Sequence, residues 1–392
     1  MASERFWDII KNNMSKKVRL IIFISLVITY FIVAPILIYY ALGYRFNFDT
    51  RTVISTGGFD LKIWPQETNI LIDQKIVRRT NIFSNDELIQ GLLPKKYNIA
   101  VEKEGYFTWD KNLNIEANKV TKLENVTLIK ESLAFQNVKG SFDNFYISPD
   151  EKYILTANEA SATFHTIDSS TLDIVNTFTL QNPKDLVVSW NTGSETVKLY
   201  NKTTPEIIYS INYKKTGTII PEETPGIPSD EILSVQPVTV NGITLVKDAD
   251  YISLLNTKTD KFEKYYQAKD WKFSPDKSKF LFFNDHEILF AKTNAPTQKI
   301  FLIRFSGIID DCFWLNNDYV IYNVGGKLKI SEIDTRDKIN TVDLKVQLTT
   351  ESDAVTTLIN PEIHFDTTNK ILYILNEKNL FVSEPLTDKK NK

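Results

Sequence analysis

The chain has 392 residues, 46 basic and 49 acidic, for a formal net charge of -3. That near balance, with Lys and Arg scattered rather than clustered among aromatics, excludes an electrostatic case for a nucleic-acid partner. The length suits two or three domains with a sizeable core, and 12% aromatic residues beside many Ile, Val and Thr favour strands over helices.

Glu4 to Asn13 places Phe6, Trp7, Ile9 and Ile10 where a short amphipathic helix could rest on a membrane surface. Leu20 to Leu42 then carries no charge over about 23 residues, roughly 34 Å as a helix, enough to cross a hydrocarbon core of about 30 Å. Tyr39, Tyr40 and Tyr44 stand at its distal end, where amphipathic rings prefer the interface. Pro35, inside the run, is tolerated in a membrane helix. Arg5, Lys11, Lys16, Lys17 and Arg19 precede the span, and only Arg45 and Arg51 follow closely. The excess of basic residues before the span predicts a cytoplasmic tail (1–19), a transmembrane helix (20–42) embedded in the lipid bilayer, and an extracytoplasmic remainder. The rival reading is a cleaved signal peptide. It suits the run poorly: the run is too long, Ala34 is followed by Pro35, and Ala41 has Tyr39 two residues before it. An uncleaved signal-anchor is the expectation.

Residues 51–130 read as a small β-sandwich. Phe59-Asp60-Leu61-Lys62-Ile63-Trp64 alternates apolar and polar residues, the period of a half-buried strand, and Pro65 ends it. Asn69 to Asp73, Tyr97 to Glu102, Trp109 to Ile115 and Val120 to Leu128 read as further strands, with Ile89 to Pro94 as a connection. Three segments carry a family pattern: Ile63-Trp64-Pro65-Gln66-Glu67-Thr68, Ile70-Leu71-Ile72-Asp73-Gln74-Lys75, and Leu92 to Tyr106 ending Lys103-Glu104-Gly105-Tyr106. In these the chain resembles the PEGA domain family. Gln66-Glu67-Thr68 departs from the eponymous Glu-Gly-Ala turn, while the order of the strands is kept. The resemblance implies a surface or envelope module without catalytic residues.

From 131 to 386 one phrase recurs: an apolar strand, a polar turn, an apolar strand. Phe145-Tyr146-Ile147-Ser148-Pro149-Asp150 before Tyr153-Ile154-Leu155, and Trp271-Lys272-Phe273-Ser274-Pro275-Asp276 before Phe280-Leu281-Phe282-Phe283, are the clearest copies. Weaker copies begin at Leu186, Cys312 and Ile363, and Val238 to Leu255 has the strands without the turn phrase. The spacing of roughly 33–52 residues is near that of propeller blades. Pro presets φ for a turn and Asp bonds nearby amides, which accounts for the Ser-Pro-Asp phrase. In these copies the chain resembles WD40-like and TolB-like propellers, with Glu151 and Lys277 where those families usually have Gly. The resemblance implies a β-propeller of about six or seven blades, seven if Leu133 to Val138 closes the ring with the C-terminal strands. Pro221 to Pro228 reads as an exposed loop between units. Two or three stacked sandwiches are the rival architecture.

Chemistry is sparse. His165, His286 and His364 are far apart and lack a second His or Cys at ligand spacing. Cys312, the single cysteine, excludes an intrachain disulfide and reads as a small buried hydrophobe, with a nucleophile as the other reading. The acid pairs Asp248/Asp250 and Asp310-Asp311 read as turn or blade-edge residues. No serine elbow, phosphate loop, dinucleotide fingerprint or EF-hand is present. No catalytic, cofactor-binding or metal residue is therefore assigned. The sequence points to an all-β, non-enzymatic envelope protein: one transmembrane helix, a PEGA-like sandwich, and a propeller that binds an envelope protein or cell-surface polymer. A propeller hydrolase, or the accessory domain of one, is the alternative, with His286, Asp310 and Asp311 meeting in one pocket.

Overall fold

The computed structural model describes residues 15–48, 50–81, 83–180, 186–190, 195–201, 207–218, 222–225, 237–248, 250–349 and 355–387. The amphipathic segment Glu4 to Asn13 lies outside these residues. The helix Lys16–Ala41 opens on Ser15, whose Oγ accepts from the Val18 amide at 3.4 Å. It closes where Leu42 N donates to Ile38 O at 2.9 Å and Gly43 turns to φ 84°, a conformation costly for any residue with a Cβ. None of its residues is buried. It is long and apolar enough to cross a membrane, and a signal sequence meets the same description.

The remaining described residues are mostly β, in two compact units. The first unit spans 1–101 and 110–126. It contains the hairpin Tyr44–Asn47 with Thr52–Ser55, and two further sheets. One sheet orders Asp86–Leu92, Gly57–Trp64 and Val120–Thr127; the other orders Lys75–Arg79, Asn69–Ile72, Lys96–Glu102 and Trp109–Asn114. Alternate residues are buried along these strands: Phe59, Leu61 and Ile63 on one, Ile70 and Ile72 on another, Tyr97, Ile99 and Val101 on a third. Gly57 and Gly58 permit close packing, since a Cβ at Gly58 would lie 2.4 Å from Ile89 O. The Ile89 to Pro94 segment is a correction. Most of it belongs to the strand Asp86–Leu92, which pairs with Gly57–Trp64. Ile89 is its one fully buried side chain, so too little of the alternation survives to mark a strand. Lys75–Arg79 escaped notice for the same reason, being exposed at every position.

The second unit, Glu102–Trp109 with Thr127–Lys392, is a β-propeller with six blade sheets among the described residues, beside a two-stranded sheet of Leu348–Thr349 and Val355–Thr356. Blade 1 orders Asn144–Ile147, Tyr153–Asn158, Thr163–Asp168 and Ile174–Thr179, with Gly217–Thr218 parallel to its last strand. Blade 2 orders Leu186–Trp190, Thr196–Asn201, Ile207–Asn212 and Glu222–Pro225. Blade 3 orders Val238–Val240, Ile243–Asp248, Tyr251–Asn256 and Lys261–Gln267. Blade 4 orders Asp270–Phe273, Lys279–Phe283, Glu287–Lys292 and Ala295–Arg304. Blade 5 orders Ile309–Trp314, Tyr319–Val324, Lys327–Glu332 and Thr341–Asp343. Blade 6 takes Glu362–Asp366, Ile371–Asn376 and Asn379–Ser383, and its outer strand is Phe135–Val138 from before blade 1.

That borrowed strand ties the two ends of the unit together. An apolar cluster seals the same junction, joining Phe145, Ile154 and Ile167 of blade 1 to Tyr373, Leu375 and Leu380 of blade 6. Similar clusters stand between blades 1 and 2, 3 and 4, 4 and 5, and 5 and 6. Side-chain direction alternates accordingly: Phe280 and Phe282 face blade 3, and Leu281 and Phe283 face blade 5. A strand covered on both faces reads as a continuous apolar run, as Phe280 to Phe283 does.

Each Ser-Pro-Asp phrase forms the turn between the first and second strands of its blade. Ser148 Oγ donates to Asp150 Oδ1 at 2.7 Å and accepts from Tyr153 N at 3.0 Å. Ser274 repeats this with Asp276 at 2.7 Å and Lys279 N at 3.0 Å. Glu151 and Lys277, in the place of Gly, take left-handed φ values of 58° and 59°. Part of the expected Pro221 to Pro228 loop is also corrected: Glu222–Pro225 pairs with Ile207–Asn212 as the outer strand of blade 2. An outer strand needs no donor on its free side, so Pro225 is accommodated there. Pro221 and residues 226–228 lie outside the described residues.

Candidate binding site on the inner strands

The first strand of every blade is an edge strand, and those of blades 4 and 5, and of 5 and 6, approach one another. These edges therefore line the inside of the ring. Three of them bring charge together. Lys272, on the inner strand of blade 4, reaches across to blade 5, where Nζ lies 2.5 Å from Asp311 Oδ1 and donates to Cys312 O at 3.0 Å. It is also 3.4 Å from Asp270 Oδ2, and it sits 3.6 Å from the centroid of the Phe313 ring. Asp311 accepts from the Cys312 amide at 2.7 Å.

Blade 6 adds Glu362 and His364, two residues apart and so on one face of their strand. Burial, then the nearby Asp311 carboxylate, raises the Glu362 carboxyl to about 6. Burial raises Asp311 too, against the pull of the Lys272 ammonium. His364 packs edge-on to Phe313 with ring centroids 5.5 Å apart. Burial, followed by Lys272, drops its imidazole to about 4, so at neutral pH it is uncharged. Tyr146 of blade 1 completes the group, its phenol pushed up by burial and then by Glu362. The result is a patch on the inner strands with three carboxyl groups to one ammonium, Glu362 exposed and the others half-buried, backed by Phe313 and a neutral imidazole. It offers acceptors to a cation or to a dense set of hydrogen-bond donors.

A second carboxyl pair lies where blade 1 meets blade 6. Asp366 is fully buried, and its oxygens accept from Thr368 N and Asn369 N at 2.7 Å each and from Asn369 Nδ2 at 2.9 Å. Glu151, from the first Ser-Pro-Asp turn, hydrogen-bonds the same carboxyl. Burial and the neighbouring Asp366 raise Glu151 to about 7, so its protonated form is the donor.

The other residues singled out in the sequence do not gather. His286 is exposed, with Nδ1 3.3 Å from Gly307 O, in an open groove of about 480 Å³ that Asp250, Lys269, Asp285 and Arg304 also line. Asp310 is the extra residue of a bulge between Ile309 and Asp311; it points to solvent, and neither it nor Asp311 lines that groove. The side chain of Asp248 lies outside the described residues. His165 packs in blade 1 beside Thr177 Oγ1 at 3.0 Å, lowered by burial. Cys312 is fully buried between blades 4 and 5, and burial pushes its thiol far up, away from the reactive thiolate. Among the described residues no group of His, Cys, Asp and Glu is placed to hold a metal ion. Sequence reasoning missed Lys272, Glu362 and Tyr146. Their one signal was polar residues at alternate positions just ahead of the first turn in blades 1, 4 and 6.

No family model and no curated protein matches the chain. Among solved structures it is similar to the β-propeller domain of Myceliophteria thermophila Cps50 (Swd1), at 9% identity and a TM-score of 0.40 over 64% of this chain and 99% of that one. It is similar to virginiamycin B lyase from Staphylococcus aureus at 12% identity and a TM-score of 0.35, covering 64% and 99%. It is similar to a luciferin-regenerating enzyme at 12% identity and a TM-score of 0.40, covering 65% and 96%. Likeness at this level bears on neither activity nor ligand. The propeller assignment rests on the strand order and the clusters between blades.

Proposed function

We propose that the chain is a membrane-anchored, non-enzymatic envelope protein whose propeller binds a basic or donor-rich group of another envelope protein or of a cell-surface polymer. One observation carries the binding part: Asp270 and Asp311 flank a single Lys272 on the inner strands and Glu362 stands near Asp311, leaving acceptor capacity that the protein itself does not use up. The anchor is the helix Lys16–Ala41. Basic residues ahead of it favour a cytoplasmic N-terminus, with the propeller on the outer side. The two sheets of the first unit serve in this reading as a PEGA-like spacer (51–130), with the propeller spanning 131–386. The buried Cys312 thiol, held well away from its thiolate, supports binding over catalysis.

The test uses the full chain in lipid nanodiscs. Oligolysine and an amino-sugar oligomer serve as basic probes, and oligoglutamate as the control. Basic probes should bind, Asp311→Asn and Glu362→Gln should each weaken them about tenfold, and oligoglutamate should not bind. Equal affinity of wild type and both variants would remove the inner-strand site from the account. A hydrolase is the second reading, favoured by Glu362 at about 6, where a carboxyl can act as a general acid near neutrality. Turnover of a glycan or peptide that Glu362→Gln abolishes without weakening its binding would establish that reading instead.

A further inference from the structure

The hairpin that follows the helix is apolar on its outside. Phe48 is 82% exposed, Val53 58% and Phe46 48%, an arrangement that costs hydrophobic free energy in water. These residues are not scattered. Tyr39, near the end of the helix, packs edge-on to Tyr44 at 5.6 Å between ring centroids. Tyr44 and Phe46 are two residues apart on one strand and so share a face. Phe46 packs edge-on to Phe48 at 5.1 Å, and Val53 is the cross-strand partner of Phe46. An aromatic strip thus runs from the helix onto the hairpin.

The hairpin is also tied to the helix. Arg45 Nη1 donates to Tyr40 O at 2.8 Å, and its guanidinium sits 3.5 Å from the Tyr40 ring centroid. Thr56 donates to Gly43 O through its hydroxyl at 2.6 Å and its amide at 2.9 Å. The hairpin therefore cannot swing freely away from the level at which the helix ends. Aromatic rings with a nearby guanidinium match the headgroup zone of a bilayer, where rings partition and cations meet phosphates.

We infer that the hairpin Tyr44–Ser55 is a second membrane contact, seated in the phospholipid headgroup zone with Phe46, Phe48 and Val53 towards the acyl chains. The inference rests on the reading of Lys16–Ala41 as a membrane span. The contact fixes how far the helix emerges, and so the height at which the following strands stand.

Depth-dependent quenching on the full chain in phosphatidylcholine vesicles tests it. An environment-sensitive fluorophore is placed on Phe48→Cys, on Phe31→Cys in the middle of the helix, and on Phe301→Cys in the propeller. Cys312 is buried and stays unlabelled. Nitroxide lipids labelled near the carbonyl should quench the Phe48→Cys probe more than lipids labelled near the bilayer centre do. The Phe31→Cys probe should show the reverse order, and the Phe301→Cys probe should lose no emission to either. A Phe48→Cys probe that behaves like the Phe301→Cys probe, while the Phe31→Cys probe is quenched from the centre, overturns the hairpin contact and leaves the span standing. A Phe31→Cys probe quenched by neither lipid overturns the span, and the hairpin contact with it.

Discussion

Replacing Lys272 by Met keeps most of the aliphatic stem and removes the ammonium that lies over Phe313. At 2.5 Å from Asp311 and an effective dielectric of about 20, the gross attraction lost is about 7 kcal/mol. The two side chains keep 26% and 34% of their surface exposed, so desolvation and screening cancel most of that figure. A net cost of about 2 kcal/mol follows, or about 30-fold in the unfolding constant. Asp311→Asn alone should cost only about 1 kcal/mol, because burial already works against that carboxylate. The double variant should cost less than the sum of the singles by about 1 kcal/mol. Urea unfolding of the four proteins in detergent micelles measures the cycle. Imidazole NMR adds an independent reading: without the ammonium, His364 should titrate above its present value of about 4. Strict additivity together with an unmoved His364 would refute the reasoning that Lys272 organises this site.

Glu151→Gln keeps a donor to Asp366 and removes the titration. A carboxyl raised from 4.5 to about 7 on folding makes the folded state hold more protons in that window, so its stabilising contribution falls as pH rises through it. Wild type should therefore lose thermal stability relative to Glu151→Gln between about pH 4.5 and 7, and parallel melting curves would contradict the shared proton. Cys312 should resist maleimide in the folded protein and react once urea unfolds blades 4 and 5, as timed mass spectrometry would record. Phe282→Ala, which empties a fully buried site between blades 3 and 4, should cost about 3–5 kcal/mol in urea unfolding.

The propeller was legible where turn chemistry repeats. Ser148-Pro149-Asp150 and Ser274-Pro275-Asp276 mark the first hairpins of blades 1 and 4, because local side-chain-to-backbone bonds dictate them. In sequence Leu133 to Val138 reads as closing the ring with the C-terminal strands; Phe135–Val138 does pair with Asn379–Ser383, but it completes the sixth blade and adds no seventh among the described residues. Asp86–Leu92 and Lys75–Arg79 were not read as strands because edge strands bury little and leave no alternation to see. The site was the least legible part. Lys272 and Asp311 are 39 residues apart, and only the packing of blade 4 beside blade 5 makes their strands neighbours. Asp310-Asp311 looked like a pair, but the bulge turns one outward and leaves the other to Lys272.

The proposed binding requires the propeller to stand outside the cytoplasm, where an envelope partner can reach Asp311 and Glu362. Phe301 lies half-exposed on the outer strand of blade 4, and Cys312 is buried, so Phe301→Cys provides one accessible thiol. A membrane-impermeant maleimide added to intact cells, with any outer barrier opened but the inner membrane whole, should label Phe301→Cys fully. Labelling that appears only after the inner membrane is broken would put the propeller on the other side and contradict the account.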